Sequence, residues 1–438
     1  VNINRVAAVI VTWNKLKDVC FVIDDINKLN LSGINLDIFV VDNASTDGTQ
    51  AYLEENYPHI QVLQTGENIG GSGGFSHGLN VVSKLEYDYI WLLDNDVRLA
   101  PQALLPLVQT LQKYSEVGLV GSQIRKLEQP EIIQEIGSFI YPQKAHLKTN
   151  FGNYHISSIE KQLSETSYIP VDVCAAASLL VRREIVQQIG VFENYFLHFD
   201  DVEWCLRAKQ AGWVVAANPA SIVWHSSPDF KQRPWVSYYD ERNLCYCWKK
   251  HYPHLLLKRI QVLLPKLIYY TLTGRFFWTE IYLQGIEDFF HQVQGKIPGI
   301  LPYTEYSLEQ IIEPSSKVVI EPQIYQDSTH SLAWQQMEIN KKIMIWTPSQ
   351  NIVHRIYIWL ISCVSKPVDL TIVNCYLPDI YTLNLAKKIY FFTGTGYILV
   401  NWSLINSVLK SLIVLYKITK IYLRMSKLLS HQAKKSHS

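Results

Sequence analysis

Charge is scarce in this sequence. Only 18% of its 438 residues are Asp, Glu, Lys or Arg, and 40 cations against 39 carboxylates leave a net charge of +1. The basic residues are mixed into aliphatic runs and no recognition motif accompanies them, which disfavours nucleic-acid binding. The seven cysteines, Cys20, Cys174, Cys205, Cys245, Cys247, Cys363 and Cys375, are odd in number and include neither a CxxC pair nor zinc-ligand spacing. We expect buried free thiols in a reducing compartment. The first apolar run, VAAVIVTW, has no basic segment before it and no small-residue cleavage site after it. A cytoplasmic chain is therefore expected, and the Asn43-Ala44-Ser45 sequon is read as accidental. No internal repeat and no low-complexity tract is present.

What remains is long enough for two or three domains. Hydrophobic residues make up 48% and aromatics 12%, with 26 Tyr and 12 Trp. That aromatic content suits sugar-stacking surfaces, a membrane interface or a Tyr-rich core.

The first half reads as strands alternating with helices, hence an α/β sheet with mostly parallel strands. Val6 to Trp13 is a β-branched run of the kind buried on both faces. A helical stretch follows from Lys15 to about Asn30, and Leu36 to Val41 is a second strand. Further strands are expected at Ile60 to Leu63, at Tyr89 to Leu93, and within Val171 to Arg182 ahead of a helix to Ile189. Ligands collect at the carboxyl ends of such strands, where Thr12, Trp13 and Asp42 fall. The stretch Asn68-Ile69-Gly70-Gly71-Ser72-Gly73-Gly74-Phe75 allows close backbone approach to a ligand, ahead of a helix N-terminus facing an anion. It is not GxGxxG and has no phosphate-loop Lys, which argues against a dinucleotide or ATP site. The fourth strand ends in Asp94-Asn95-Asp96, a pair of hard oxygen ligands suited to Mg²⁺ or Mn²⁺ bridged to a diphosphate.

Phe196 to His225 completes this half. Asp200 with Glu203 three residues on fits a helix capping box, with Val202, Cys205, Leu206 and Ala208 on the buried face. His225 closes the strand-like segment after that helix.

Six motifs in one order, VTWN (11–14), VVDNASTDGT (40–49), NIGGSGGF (68–75), LLDNDVR (92–98), FDDVEWCLR (199–207) and VWH (223–225), resemble family 2 glycosyltransferases of the GT-A fold. Within the family, the glycine stretch and DDVEW helix are most similar to bacterial galactofuranosyltransferases and their rhamnosyltransferase relatives. The resemblance implies an inverting hexosyltransferase that uses UDP-galactofuranose, favoured by the DDVEW helix, or dTDP-rhamnose. It implies nucleoside and sugar-diphosphate binding at Thr12, Trp13, Asp42, Asn68, Gly70, Gly71, Asp94 and Asn95. Asp96 and His225 would hold Mn²⁺ or Mg²⁺, Asp201 would be the catalytic base, and Phe199, Asp200 and Trp204 would meet the acceptor. Phe199 departs from the Trp found before the two Asp in the best-known galactofuranosyltransferases. A helix N-terminus should keep Asp201 ionised and make it a weak base. Lys231 and Arg233 are placed to close over the diphosphate. The rival classes are a sugar nucleotidyltransferase, whose Gly-rich basic signature after the first strand is absent, and a non-catalytic glycan-binding protein.

We expect a catalytic domain over 1–240, with residues 126–170 inserted to shape the acceptor pocket. A helical basic-amphipathic segment follows over 241–314, and a small α/β appendage with a basic hydrophobic tail over 315–438. Arg242 to Trp278 has seven Lys or Arg and no acidic residue, and Pro265 argues against one unbroken helix there. The runs KVVI, KIMIW, LTIV and KIYFF mark the appendage. The tail from Asn401 again has seven Lys or Arg and no Asp or Glu, and its lysines interrupt each apolar run short of the roughly 18–20 residues of a membrane span. Peripheral attachment to an anionic surface, the inner face of a bacterial plasma membrane, is expected, with a glycan or lipid-linked glycan as acceptor.

Overall fold

The computed structural model describes residues 3–226, 235–272, 275–297, 318–320, 343–345, 368–374, 386–392, 397–400 and 404–435. It divides into two compact units. One comprises Val1–Ser227, Asn243–Leu255 and Phe289–Pro298; the other comprises Pro228–Arg242, Leu256–Asp288 and Gly299–Ser438.

The first unit opens with β1 (Asn4–Thr12), α1 (Leu16–Ile26), β2 (Ile34–Asp42), α2 (Thr49–Asn56), β3 (Gln61–Gln64), α3 (Gly70–Val82) and β4 (Tyr89–Asp94). It continues through β5 (Val97–Leu99), α4 (Leu105–Lys113), β6 (Val117–Lys126), β7 (Ile133–Glu135), the hairpin β8 (Ser138–Tyr141) and β9 (His146–Thr149), and α5 (Glu160–Ser164). Then come β10 (Ile169–Pro170), β11 (Ser178–Arg182), α6 (Arg183–Ile189), α7 (Asp200–Gln210) and β12 (Val214–His225).

The sheet runs β10-β12-β6-β11-β4-β1-β2-β3, with β5 beside β12 and β7 beside β6. Pairing of β1 with β2 and β4, β2 with β3, and β6 with β12 is parallel, while β11 lies antiparallel between β4 and β6. The expected mixed, mostly parallel sheet is thus the one observed. Its consequence for chemistry is directional: β1, β2, β4 and β12 all end on the same edge, bringing Thr12, Asp42, Asp94 and His225 to it. The β6–β12 register shifts between Asn218 and Ile222, and Pro219 falls in that irregularity, where no ladder N–H is required.

One face of the sheet packs on α1 and α4 through Val6, Ile10, Trp91, Leu93, Val19, Val22, Leu107 and Leu111, all but fully buried. Each such aliphatic side chain contributes about 1.5–3 kcal/mol by leaving water. On the other face α3 lies close to β1 because two of its glycines permit it. A Cβ on Gly74 would stand 2.5 Å from Val11, and one on Gly78 2.4 Å from Val9. Arg98, from the fourth-strand motif, is structural: its guanidinium grips Asp25 of α1 at 2.6 and 2.9 Å.

Three local expectations are corrected. The glycine stretch is not a loop before a helix but the first turns of α3 itself. Of Val171 to Arg182 only Ser178–Arg182 is strand. The helical segment after residue 235 is broken, but not at Pro265, which lies inside α9 (Leu256–Leu272); it follows α8 (Val236–His251) and precedes α10 (Phe276–Phe290). The break between α8 and α9 is at Pro253, where a single 3₁₀ turn intervenes.

In the second unit, four of the apolar runs supply β13 (Val318–Ile320), β14 (Ile343–Ile345), β15 (Val368–Asn374) and β16 (Ala386–Phe392), joined by β17 (Tyr397–Val400). Their order is β14-β13-β15-β16-β17, all parallel except the last pair. The tail forms one helix, α11 (Leu404–Lys435), packed along α9. No helix among the described residues is long and apolar enough to cross a membrane.

Candidate active site

Asp94, Asp96 and His225 converge at the carboxyl edge of the sheet. One ligand atom from each lies within 4.8 Å of the others, and His225 Nε2 stands 3.1 Å from Asp96 and 3.8 Å from Asp94. The chain brings them together by two strand-end events: β4 stops at Asp94, and the turn into β5 places Val97 opposite His225. Two carboxylates and an imidazole form a donor set that fits a Mn²⁺ or Mg²⁺ ion with positions left for phosphate oxygens. Beside them Asn95 donates to the Thr12 hydroxyl at 2.9 Å, tying the end of β4 to the end of β1.

Asp201 enters the same cleft from the start of α7. Its carboxylate accepts from the backbone N–H of Val202 at 2.7 Å and of Ala176 at 3.3 Å. Burial nevertheless raises its pKa above the ordinary carboxylate range, with those two N–H groups and His198 pulling the other way. The expectation of a weak base is thus reversed: desolvation outweighs the helix terminus. Burial also pushes Asp94 up to about 6, against the pull of His225 and with the help of Asp96 and Asp201. Asp200 rises to about 7 through burial and the charge of Asp201. Glu135, from β7, rises to about 7 through burial, with the Ser138 hydroxyl at 2.9 Å working against it and Asp201 adding to it. Carboxyls crowded in one cleft cannot all ionise cheaply without a cation among them.

The helix that carries Asp201 starts differently from a capping box. Phe199 is the N-cap, in the left-handed conformation at φ 64°, and no side chain caps the helix. Asp200 is already helical, and Glu203 turns away from the N-terminus to pair with Arg207, Lys250 and His251. The expected buried face of Val202, Cys205, Leu206 and Ala208 does form. Trp204, expected at the acceptor, is instead core: it is fully buried, donates to Gly190 O at 2.9 Å and meets Phe192 edge-on.

The donor-side residues divide in the same way. Trp13 is half exposed. Asp42 is buried, with one oxygen held by the backbone and hydroxyl of Ser45 and the other by Gln64. It braces the loop rather than opening into the cleft. Asn68 accepts from Gly70 N at 2.9 Å and so fixes the start of α3. Gly70, at φ 76°, has the Phe196 carbonyl where a Cβ would be, whereas Gly71 has nothing within 4 Å. Only the latter, of the two expected glycines, offers open space. Lys231 and Arg233 lie outside the described residues.

Three residues escaped the sequence reading. Gln134 and Glu135 sit on a three-residue strand in a region without periodicity, and Gln134 Nε2 lies 3.3 Å from His225 Nδ1. Asn243 is fully buried, and its Nδ2 donates to the carbonyls of Tyr195, Leu197 and His198 at 2.7 to 3.1 Å. Those carbonyls belong to a segment in which Phe196, His198 and Phe199 all have positive φ.

The profile described as Glycosyl transferase family 2 matches residues 7–190. The chain is similar to galactofuranosyltransferase GlfT2 of Mycolicibacterium smegmatis, 22% identical over 269 residues covering 57% of this chain and 42% of that one. It is 26% identical over 210 residues to N-acetylglucosaminyl-diphospho-decaprenol L-rhamnosyltransferase of Mycobacterium tuberculosis, covering 43% and 66%. To dTDP-rhamnosyl transferase RfbF of Shigella flexneri it is 24% identical over 281 residues, 61% of this chain and 88% of that one. The chain thus spans less than two thirds of the first two relatives. The profile match covers β1 through α6, the strand ends that gather Thr12, Asp42, Asp94 and Asp96 among them, and over that region the chain is similar to glycosyl transferase family 2.

Proposed function

We propose that the chain transfers a hexosyl unit, with inversion, from a nucleoside diphosphate sugar to a glycan or lipid-linked glycan acceptor. The observation that carries this reading is one cleft holding Asp94, Asp96 and His225 within reach of a single cation, with Asp201 near enough for its charge to act on Asp94. Asp201 takes the proton of the acceptor hydroxyl as that oxygen attacks the anomeric carbon, and its raised pKa makes it the stronger base for the task. Val202 and Ala176 hold the carboxylate in one orientation. Asp94, Asp96 and His225 would hold Mn²⁺ or Mg²⁺, which when bound offsets the charge that develops on the departing diphosphate. Gly71 leaves room for the diphosphate at the start of α3.

UDP-galactofuranose is the favoured donor, supported by the DDVEW helix and the similarity to GlfT2. dTDP-rhamnose is the second reading, supported by similarity to the two rhamnosyltransferases. An amphipathic tail helix with exposed Lys and Arg supports peripheral attachment to an anionic membrane, which we propose to be the inner face of a bacterial plasma membrane.

The test is nucleotide release from each donor, with and without a lipid-linked acceptor and with and without EDTA. We expect acceptor-dependent release with one donor, abolished by EDTA, and a loss of about 10²–10⁴-fold in Asp201→Ala with nucleotide affinity kept. Turnover that ignores EDTA, or near-normal turnover of Asp201→Ala, sinks the reading.

A further inference from the structure

His225 presents two nitrogens with different neighbours. Nε2 faces the two carboxylates, 3.1 Å from Asp96. Nδ1 faces Gln134 Nε2 at 3.3 Å, and the Gln134 Oε1 is buried without a hydrogen-bond partner. Gln134 reaches this position because β7 pairs with β6 just beyond the end of β11, and only β6 separates it from β12 and His225.

We propose that Gln134 is a positioning residue that serves His225 in both of its neutral tautomers and thereby readies it for a divalent cation, an assignment that rests on the metal-holding role proposed above for Asp94, Asp96 and His225. As placed, the Gln134 amide N–H donates to Nδ1. The imidazole proton is then on Nε2, where it is donated to Asp96. That arrangement satisfies the cleft without a cation but directs a proton, not a lone pair, at the ligand position. Coordination through Nε2 requires the proton on Nδ1, which needs an acceptor. The buried Oε1 is that acceptor once the carboxamide turns by half a rotation, because its oxygen and nitrogen occupy nearly the same volume. A carboxylate at this position could only accept and a Lys could only donate; a carboxamide does either. The orphaned oxygen is thus explained as the half of the amide used in the other state.

The test uses the full-length chain and Mn²⁺ alone, with free ion followed by electron paramagnetic resonance. Gln134→Met keeps the volume and removes the hydrogen bond, and is expected to weaken Mn²⁺ binding about 10–100-fold, the usual effect of losing the group behind a ligating imidazole. Gln134→Glu fixes the tautomer with its proton on Nδ1, and should bind Mn²⁺ at least as tightly as the native protein. Nitrogen-15 resonances of His225, assigned by their loss in His225→Ala, should report Nε2–H in the metal-free native protein and Nδ1–H in Gln134→Glu. A Gln134→Met variant with native affinity, while His225→Ala loses it, overturns the role of Gln134 alone. Native affinity in both variants removes the metal site itself. Equal losses in the Met and Glu variants would reduce Gln134 to a packing residue.

Discussion

At the scale of single residues, one amide holds the most strained part of the site. Two hydrogens on Asn243 Nδ2 are shared among three carbonyls, all from the five residues before Asp200. Phe196, His198 and Phe199 carry φ of 68°, 61° and 64°, a conformation that costs a residue with a side chain about 1–3 kcal/mol. The Phe196 carbonyl in turn accepts from Ser72 N at 3.3 Å and occupies the space that Gly70 leaves. The strained segment therefore joins α3 to α7, which carries the proposed base Asp201. Asn243→Ala removes this shared donor from the three carbonyls, at about 1–3 kcal/mol for a buried group that loses its hydrogen bond. We expect a lowered Tm together with a kcat loss larger than any change in donor KM, because Asp200 and Asp201 lose their fixed starting point while the nucleotide residues stay. Steady-state kinetics at a temperature where the variant remains folded checks this. A fall in Tm with unchanged kcat would make Asn243 a stabilising residue only.

At the scale of elements, α7 is set by charge at a point no capping rule anticipates. Glu203 is fully buried beside Arg207, Lys250 and His251. Burial works to raise its carboxyl, but the His251 hydrogen bond and the Arg207 and Lys250 charges outweigh it and hold it down to about 2. A carboxyl depressed in the folded state stabilises the fold above its unfolded value of about 4.3, and that contribution is lost as pH falls through the folded value. Glu203→Gln should therefore be destabilised at pH 6, by about 3–5 kcal/mol for a broken buried pair. Its Tm deficit relative to the native protein should shrink between pH 4.5 and 2.5. A deficit that stays constant over that window rules out the ionised Glu203 as its source. The sequence places this helix and its buried face correctly, since a 3.6-residue period is a local signal. It does not disclose the cap or the ion cluster, because Phe199 is forced into the cap by the turn before it and Lys250 and His251 arrive from more than forty residues away. The glycines of α3 teach the same lesson. Those of the stretch 68–75 read as ligand approach, yet Gly74, like Gly78 one turn on, is there for β1, and only tertiary packing distinguishes it from Gly71.

At the scale of the whole molecule, the legible parts are those where the chain repeats a simple order of strand, polar end and helix. His225 stands far from Asp94 and Asp96 in sequence, but each of the three closes or follows a buried strand, and parallel topology turns that shared property into proximity. Gln134 has no such property, since β7 is three residues long and its partner lies across β6. The tail has a different kind of legibility. Its helix α11 buries Val414, Ile418 and Ile421, leaving Leu412, Ile413, Tyr416 and Leu423 more than half exposed. Lys417, Lys420 and Arg424 are also exposed, so apolar and cationic groups share the outward side. Exposed aliphatic and aromatic residues beside cations suit the boundary between headgroups and acyl chains, and each cation near an anionic surface contributes about 1 kcal/mol. Replacing Lys417, Lys420 and Arg424 together by Gln should weaken partition onto vesicles rich in phosphatidylglycerol by about 100-fold, the equivalent of three such contributions. Raising the salt should weaken native binding in the same direction, since the Debye length shortens to about 3 Å at 1 M. The substituted positions are on the surface, where changes typically stay within about 0.5 kcal/mol of stability, so the folded chain is retained for the comparison. Flotation of both proteins with anionic and with zwitterionic vesicles decides the matter. Equal flotation of native and triple-Gln chains on anionic vesicles would sink the tail's proposed role, and an excess of native chain confined to the anionic set would support it.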